Sequence, residues 1–552
     1  MILAAAVALT FLGAALFFPR TNGAVFAFAE RIFSKLSLRR GFALAAISCG
    51  VIAIRVSILP LLPVPTPGIH DEFSYLLMAD TFAHGRLTNP SHPMWMSFET
   101  FHVNWLPTYS SMYPPAQGAA LALGQILGSP WIGVLLSAAG MCAAVYWMLR
   151  AWMPSRWALL GGVLTALKLG FVSYWMNSYW GGAVAAVGGA LVFGSVARLV
   201  KHARWQEALL LGLGAAILAN CRPYEGFVFC VPAAFLFFRW LWRKSRNATA
   251  EGIPWVRVVL PLAATLLCTL AFMAYYNWRL TGNALLFPHT LNQRTYESIP
   301  PFAWQKPLPA KHYNNARMEE FFNDWEHEEY TRGWSAYLEV SKTKTTRFAS
   351  AFTWPALLLA LPGIPFALRD RKVRVLWITL GLVTAALYAV VWSNAHYAAP
   401  ATCLIYALIV QSLRHLRTMR AGKFAWGQAL ARACVVALIV NTAVAAANRE
   451  CDPLYWTCTG DQSRTLVLQK LQALPGKHLV MVRYNDEDLS VHDEWVFNGA
   501  DIDGSKILWA RELDQAQNER LFAYFKDRQV WLATTQDGHL VFGPYHAPDE
   551  NQ

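Results

Sequence analysis

The 552-residue chain is 55% hydrophobic and 15% charged, whereas a soluble domain carries about 25% charged residues. Its formal charge of +13 falls in bursts between apolar runs, as in the cytoplasmic loops of membrane proteins, which argues against nucleic acid as a partner. Apolar runs of about 17 to 22 residues recur along the chain and predict a polytopic helical membrane protein in contact with membrane lipids.

The first two apolar runs set the predicted orientation. Residues 3–19 are apolar, and their cations follow the run from Arg20 onward, whereas a secretory signal would carry cations in front. We therefore expect a span whose N-terminus lies outside. The next span, near 42–62, then runs outward and delivers Asp71 and Glu72 to the outer face.

The later loops agree with this orientation. The loops predicted inside are rich in Arg and Lys, whereas the short outer loops Ser173–Gly182, Asn220–Gly226 and Ser393–Pro400 contain one cation, Arg222. This asymmetry predicts about twelve transmembrane helices in the inner membrane of a bacterial-type cell. If residues 114–128 crossed the membrane, every later loop would change sides and the charge asymmetry would be inverted. We therefore expect an interfacial or re-entrant helix there. The further spans are predicted near 131–149, 157–173, 183–200, 207–219, 226–241, 258–276, 348–368, 374–392, 398–413 and 430–448.

The chain divides into three predicted parts. Residues 1–41 hold the first span and a basic cytoplasmic segment, and residues 42–450 form the transmembrane core, with large outer loops at 63–113 and 277–347. Residues 451–552 are predicted to form a small α/β domain on the periplasmic side. The expected fold is an all-α polytopic membrane protein with this domain appended. Its predicted elements are strands at 478–484, 529–535 and 539–545 and an amphipathic helix at 514–526.

Two of the nine cysteines stand apart from the apolar runs. Cys451 and Cys458 flank the hexapeptide Asp-Pro-Leu-Tyr-Trp-Thr in a polar segment at the start of the third part. Disulfides form in oxidising compartments, so a periplasmic location would allow this pair to bridge. The sequence leaves the bridge and two free thiols equally open.

Asp71 and Glu72 are the leading candidates for catalysis. They follow the outward-running span and precede a long loop rich in Trp, His, Pro and Tyr. Carboxylates that are partly desolvated at a membrane boundary gain a raised pKa, which suits a general base near neutral pH. The alternative is that both are solvated loop charges or caps on the following helix, whose first turn favours acids.

A second group is cationic. Arg55, Lys168 and Arg222 lie at similar depth near the outer ends of outward-running helices, and isolated cations in spans tend to face a cavity. A lipid-linked phosphate is the natural ligand of such a set. The alternative is that Arg222 pairs with Glu225 three residues on, while Arg55 and Lys168 extend their charged ends to the interface.

The remaining candidates are less specific. His396 and Tyr397 lie at the outer end of a span, and Asn177 lies in an aromatic outer loop whose rings could belong to the interfacial belt or stack on sugars. Residues of the first outer loop could supply imidazole and carboxylate ligands, but their spacing matches no compact zinc pattern, so we expect no cofactor and consider a divalent ion the less favoured case. These residues are His70, Asp71, Glu72, His84, His92 and His102.

Over residues 42–450 the chain resembles the GT-C superfamily of glycosyltransferases. The resemblance rests on Asp71-Glu72-x-x-Tyr75 after an outward span and on Tyr113-Pro114-Pro115 before the next one. Within this superfamily, the chain most resembles the branch that contains protein O-mannosyltransferases, the lipid A aminoarabinose transferase and the Rgt-type enzymes. Several relatives carry a second Asp in the loop that corresponds to Ser173–Gly182, whereas this chain has Asn177 and no acid there.

The resemblance implies a polyprenyl-phosphate sugar donor and transfer on the periplasmic face, typically with inversion at the anomeric carbon. It assigns Asp71 the role of the acidic residue that deprotonates or positions the acceptor, with Glu72 as its partner. Basic residues at outer helix ends would bind the donor phosphate: Arg222, Lys168 and Arg55. The expected substrate cavity comprises Tyr75, Tyr113, Asn177, Glu225, His396 and Tyr397.

Three functions remain in view. The favoured one is a glycosyltransferase with Asp71 as general base, a hexosyl or pentosyl donor, and a lipid, glycan or protein acceptor. A transporter or flippase of lipid-linked glycans would use the same cationic pocket, but paired broken helices, which are typical of transporters, are not predicted. The third is a scaffold whose C-terminal domain recruits a partner.

Overall fold

The computed structural model describes residues 2–17, 19–246, 254–327, 333–353, 355–450, 462–484, 494–536 and 539–546. Cys451 and Cys458, for which a disulfide was one of two expectations, lie outside these ranges.

Helices dominate the described chain. In order they are α1 Ile2–Phe17, α2 Pro19–Leu38, α3 Arg40–Ser57, α4 His70–Ala83, α5 Trp95–Phe98, α6 Pro115–Ile126, α7 Pro130–Trp152, α8 Ser155–Leu169, α9 Ala183–His202, α10 Trp205–Ala219, α11 Pro223–Arg246, α12 Leu260–Thr281, α13 Pro288–Tyr296, α14 Ala316–Glu319, α15 Gly333–Phe352, α16 Ile364–Arg369, α17 Arg374–Ala389, α18 Thr402–Leu416, α19 Trp426–Ala447, α20 Gln462–Ala473 and α21 Gln515–Tyr524. Short π-helices cover Trp255–Val259 and Glu320–Trp325, and 3₁₀ turns cover Ala356–Gly363 and Ala395–Ala401.

Seven of the described helices are long and apolar enough to cross a membrane, or eight if one bent pair counts as a single span. All twelve predicted runs coincide with helices, but α1, α8, α10 and α17 have only 15 or 16 residues. The run near 348–368 is not one straight helix, because Gly333–Phe352 and Ala356–Arg369 meet at an angle of 99°. The structure therefore supports a multi-pass helical membrane protein, and the count of twelve spans stays a prediction.

Residues 114–128 contain the short helix α6, Pro115–Ile126, and its expected interfacial or re-entrant position stays a prediction. Helix α6 has twelve residues and packs against both α4 and α7. Its Gly124 lies so close to the backbone of α7 that a Cβ there would come within 2.2 Å of the Gly133 amide nitrogen. This close approach fixes α6 against α7. Because α6 also packs against α4, it helps to fix the position of α4.

Helix α4 follows directly from the extended segment after α3 and carries Asp71 in its first turn. A small antiparallel sheet covers it, formed by β1 Asn89–Pro90, β2 Val103–Asn104 and β3 Thr108–Ser111 in the order β1-β3-β2. The Ser74 hydroxyl of α4 donates to the His102 carbonyl oxygen at 2.7 Å. The first outer loop is therefore an ordered cover over the start of α4, as its composition indicated.

The C-terminal segment forms a four-stranded sheet in the order β5-β4-β6-β7. Its strands are β4 Lys477–Arg483, β5 Ile507–Arg511, β6 Arg528–Gln536 and β7 His539–Pro544. Strand β4 runs parallel to β5 and β6, and β7 is antiparallel to β6. The three predicted strands and the predicted helix are present, whereas α20 and β5 were not foreseen. The periplasmic location of this sheet stays a prediction.

The C-terminal sheet domain docks on α4. Phe497 stacks on Phe73 of α4 with ring centroids 4.4 Å apart, and the Ala500 amide donates to the Asp80 carboxylate at 2.7 Å. From the small outer sheet, the Tyr109 hydroxyl donates to the Asn498 carbonyl oxygen at 3.0 Å. The helix that carries Asp71 is thus held on one side by the bundle and on the other by the C-terminal domain.

This docking predicts a stability effect. Phe497→Ala should lower the free energy of unfolding by about 3 kcal/mol, because it removes a buried ring stacked on α4. The expected readout is a lower midpoint of thermal unfolding of the detergent-solubilised protein. Leu466→Ala, on an exposed position of α20, serves as the control and should leave the midpoint almost unchanged. Equal midpoints for the two variants would contradict the docking.

Candidate active site

A cavity of about 480 Å³ opens where the start of α4, the first outer loop and the start of α11 meet. The second outer segment and the 390–397 turn close its other walls. Five residues expected at the site line it together: Asp71, Tyr113, Arg222, Glu225 and Tyr397. The cavity thus joins the predicted catalytic acid to one of the predicted phosphate-binding cations.

Asp71 presents its carboxylate to this cavity. It is the second residue of α4, where the helix dipole favours a negative charge, and its side chain is 16% exposed. The Tyr113 hydroxyl donates to Oδ1. Around Oδ2 lie His70 Nδ1 at 3.7 Å and His102 Nε2 at 4.0 Å. Oδ1 is therefore oriented by a hydrogen bond, and Oδ2 faces two imidazoles.

Burial lowers the pKa of two imidazoles of the cavity wall, those of His102 and His289. Burial lowers the pKa of His102, against the opposing effect of the Asp71 charge. Burial also lowers the pKa of His289, another residue of the cavity wall, to about 4. Electrostatic repulsion from His102 and Arg222 lowers this pKa further. Both rings are therefore uncharged near neutral pH, and neither shares the cationic role of Arg222.

Arg222 brings a positive charge to the same cavity from the turn between α10 and α11. Its guanidinium carbon lies 4.1 Å from the centroid of the Tyr397 ring, a cation–π geometry that fixes the group. Glu225 lines the cavity beside it and attracts the Arg222 charge. Arg222 therefore lies near Glu225, as one of the two expectations had it, and it also lines the cavity.

Glu72 is adjacent to Asp71 in sequence but points away from the cavity. Its Oε2 accepts from the amides of Gly68 at 2.9 Å and Ile69 at 3.4 Å, and its Oε1 accepts from the Tyr179 amide at 2.8 Å. Burial raises the pKa of Glu72 to about 8, although these amides act to lower it. Glu72 therefore ties the start of α4 to the aromatic loop and does not line the cavity, so its expected role as the partner of Asp71 would be to position that residue.

Arg55 and Asn177 form a hydrogen bond with each other, and neither residue lines the cavity. The Arg55 guanidinium donates to Asn177 Oδ1 at 2.8 Å and to the carbonyl oxygens of Leu62 and Pro63 at 2.9 and 3.2 Å. It also lies 4.8 Å from the centroid of the Trp131 ring. With three acceptors already satisfied inside the bundle, this guanidinium is a structural clamp.

The other expected residues stand behind the cavity wall. Lys168, in the last turn of α8, does not line the cavity. Tyr75 stacks on Tyr113 with centroids 4.4 Å apart, and His396 Nδ1 lies 3.1 Å from the Tyr174 hydroxyl. Of the three predicted phosphate-binding cations, the described structure brings only Arg222 to the cavity.

Sequence reasoning missed a group of cavity residues from the second outer segment and its neighbour α15. Arg347 donates to Asn394 Oδ1 at 3.0 Å and adds a second cation to the wall. Glu326 ends an acidic run, residues 319–326 of the second outer loop, and nothing in the composition of that run indicates which of its side chains faces the site. The missed acidic, basic and imidazole side chains of the cavity wall are those of His289, Glu297, Glu326 and Arg347.

A divalent ion is chemically compatible with the Asp71 end of the cavity. Potential ligand atoms of His70, Asp71 and His102 all lie within 4.8 Å of one another. Imidazole and carboxylate are ligands that suit zinc and other first-row metals. The expectation that the protein works without a metal remains a prediction.

Comparison with known proteins yields structural neighbours only. No family model and no curated protein matches the chain. ArnT from Cupriavidus metallidurans, solved bound to undecaprenyl phosphate, is 13% identical with a TM-score of 0.46, over 88% of this chain and 92% of that one. An Archaeoglobus fulgidus oligosaccharyltransferase, in complex with Zn and sulfate, is 11% identical with a TM-score of 0.44, over 88% and 67% of the two chains.

A further neighbour is the arabinofuranosyltransferase AftD from Mycobacteria, which is 15% identical with a TM-score of 0.44, over 90% of this chain and 35% of that one. These neighbours are membrane glycosyltransferases of the kind to which the sequence shows a resemblance. At such identities and TM-scores they establish neither the family nor the activity of this chain.

The opposite environments of the two adjacent acids predict opposite stability effects. Glu72→Ala should lower the free energy of unfolding by about 2 kcal/mol or more, because it leaves buried amides without an acceptor. Asp71→Asn keeps an acceptor for the Tyr113 hydroxyl and should change stability little. Thermal unfolding of both purified variants in one detergent checks this contrast. A larger loss for Asp71→Asn than for Glu72→Ala would contradict the assignment.

Proposed function

We propose that the protein is a membrane glycosyltransferase that moves a sugar from a polyprenyl-phosphate donor to an acceptor on the periplasmic face. The observation that carries this proposal is that Asp71 and Arg222 line one cavity at the predicted outer side of the bundle. One group suits a proton acceptor, and the other suits an anion. A lipid-linked phosphate would bring its charge to Arg222 while its chain stays in the membrane.

In the proposed reaction the bond between the anomeric carbon and the phosphate oxygen breaks, and the electron pair leaves with the phosphate. Arg222 stabilises the charge that develops there, with Arg347 as a second cation of the wall. The acceptor oxygen forms the new bond to the anomeric carbon, and Asp71 takes the acceptor's proton. A single displacement of this kind inverts the anomeric configuration.

The neighbours of Asp71 fit the role of a base. Tyr113 donates to Oδ1 and fixes the carboxylate, which leaves Oδ2 to receive a proton. Glu72 fixes the backbone from which Asp71 projects. No step of this scheme needs a metal or another cofactor. The donor is a hexosyl or pentosyl carrier, and the acceptor is a lipid, a glycan or a protein.

A transporter or flippase of lipid-linked glycans is the second candidate, because the same cavity could hold the same lipid. One helix pair, Gly333–Phe352 with Ala356–Arg369, is sharply bent, as broken helices in transporters are. Such helices in transporters occur in corresponding positions of two repeats. Within the described chain this is a single bend, which favours the transferase.

The role of Asp71 is tested by transfer in vitro. Purified protein receives a panel of polyprenyl-phosphate sugars and envelope acceptors, and mass spectrometry detects the product. Asp71→Asn should lower the transfer rate at least about 100-fold, the contribution typical of a general base. Asp324→Asn, which changes an exposed acid of the second outer loop (277–347), should keep the wild-type rate. Wild-type transfer by a folded Asp71→Asn variant would refute the role of Asp71.

The role of Arg222 is tested by donor binding. Arg222→Gln should weaken binding of undecaprenyl phosphate about 10-fold or more, since a hydrogen bond to a charged group contributes about 1.5–3 kcal/mol. Arg279→Gln, at an exposed position of α12, is the matched control and should bind normally. Calorimetry of detergent-solubilised protein supplies both affinities. Unchanged binding by Arg222→Gln would contradict the phosphate site.

A further inference from the structure

The imidazole of His102 is a cavity group that the proposed reaction does not use. Its Nε2 lies 4.0 Å from Oδ2 of Asp71, and both residues line the cavity. The His102 side chain is 14% exposed, and among the residues that the structure describes its ring has no hydrogen-bond partner. The ring of His70 lies 4.6 Å from that of His102 between centroids, but both nitrogens of His70 are buried. His102 is therefore the imidazole of this pair that a ligand can reach.

The backbone of His102 is held in an unusual conformation. Its φ of 59° lies in the left-handed region, which glycine adopts readily and other residues seldom adopt. Two hydrogen bonds fix its carbonyl oxygen, from the Ser74 hydroxyl at 2.7 Å and from the Met112 amide at 3.1 Å. Such conformations persist where the surrounding structure determines them, and they cluster at functional sites. The fold therefore holds this imidazole at one position, beside Asp71.

The gap between Nε2 of His102 and Oδ2 of Asp71 fits a single hydroxyl group. A separation of 4.0 Å is too long for a direct hydrogen bond between them. A hydroxyl oxygen about 2.7 Å from Oδ2 and about 2.9 Å from Nε2 spans it, with an angle of about 90° at that oxygen. Since Oδ1 already accepts from the Tyr113 hydroxyl, Oδ2 is the carboxylate oxygen that faces the gap.

The chemistry of the two groups favours a hydroxyl over other ligands. The negative charge of Asp71 favours the neutral tautomer of His102 with its proton on Nε2, and a charged ring carries a proton there as well. His102 is therefore a donor in either form. A hydroxyl oxygen can accept from His102 and still use its second lone pair to attack carbon. A neutral amine has only one lone pair, and a fully ionised phosphate has no proton to give to Asp71.

We propose that His102 and Asp71 hold the acceptor hydroxyl between them, with His102 as the residue that positions its oxygen. During transfer the acceptor oxygen bonds to the anomeric carbon, its proton goes to Oδ2 of Asp71, and the bond from that carbon to the phosphate oxygen breaks. His102 keeps its own proton throughout. The preferred acceptor is an uncharged alcohol. This inference rests on the proposed function, because it assumes that Asp71 is the base.

Water is the smallest hydroxyl probe of this gap. A structure of the full-length wild type at about 2 Å resolution should show one ordered water within about 3 Å of both Oδ2 of Asp71 and Nε2 of His102. His102→Gly should lose this water. The variant should fold, because glycine suits the left-handed backbone and keeps the carbonyl oxygen that Ser74 and Met112 bind. His312→Gly, at an exposed histidine of the second outer loop, should keep the water.

Transfer kinetics test the positioning role. The donors are undecaprenyl-phosphate glucose and undecaprenyl-phosphate arabinofuranose, the acceptors are octanol, octylamine and octyl phosphate, and the detergent carries no hydroxyl group. The wild type should glycosylate octanol at least about 10-fold faster than the other two. His102→Gly should raise the KM for octanol at least about 10-fold and leave the KM for the donor within about 2-fold. His102→Asn should recover part of this loss, because asparagine tolerates the left-handed backbone and its amide is also a donor.

A wild-type structure without the bridging water, or with a metal ion in its place, would overturn the inference. An unchanged KM for octanol in His102→Gly, or equal rates with octanol and octylamine in the wild type, would also overturn it. Failure of the proposed function looks different, because the wild type would then form no product with either donor. The position of the water alone would then decide whether His102 and Asp71 hold a hydroxyl.

Discussion

The carboxylate of Glu72 is the fixed point on which the site depends. It accepts hydrogen bonds from the amides of Gly68, Ile69 and Tyr179, which belong to two segments more than a hundred residues apart in the chain. An ionisable group is costly to bury unless such donors surround it, so the arrangement specifies one position for the start of α4. Asp71, the next residue back, is consequently held at the mouth of the cavity. Glu72 therefore stabilises the local structure, whereas Asp71 remains available to act as the proposed base.

The C-terminal domain acts on the same helix from the other side. Its Phe497 stacks on Phe73, and its Ala500 amide donates a hydrogen bond to the carboxylate of Asp80, further along α4. The domain therefore contributes to the geometry of the site, although none of its described residues lines the cavity. A scaffold function does not require such a fit to the helix that carries Asp71. Removing residues 452–552 would expose one face of α4 and loosen the position of Asp71.

Hydropathy and charge bias predicted the helical architecture, because apolar length and flanking cations are local properties of the chain. They also placed Asp71 and Arg222 at the same level, and the two do share a cavity. Depth alone does not give the rotation of a helix about its axis, so Arg55 was expected in a pocket, whereas its guanidinium binds Asn177 inside the bundle. The same limitation applies to His396, which lies behind Tyr397.

Glu297 and Glu326 escaped prediction for a different reason. They lie more than 200 residues after Asp71, and the fold that brings them to the cavity depends on long-range packing of the second outer segment. The spacing of residues along the sequence does not indicate that Glu297 and Glu326 line the same cavity as Asp71. The interruption of the span near 348–368 was also hidden, since a bend at a short break leaves the hydropathy of the run unchanged.

Transfer by the proposed route requires that one cavity place a lipid-linked phosphate beside Arg222 and within reach of Asp71. Cryo-electron microscopy of the protein with undecaprenyl phosphate would locate that phosphate. We expect its density at about 3 Å from the Arg222 guanidinium, inside the cavity that Asp71 lines. Phosphate density beside Arg55 or Lys168, on a surface that does not connect with Asp71, would contradict it.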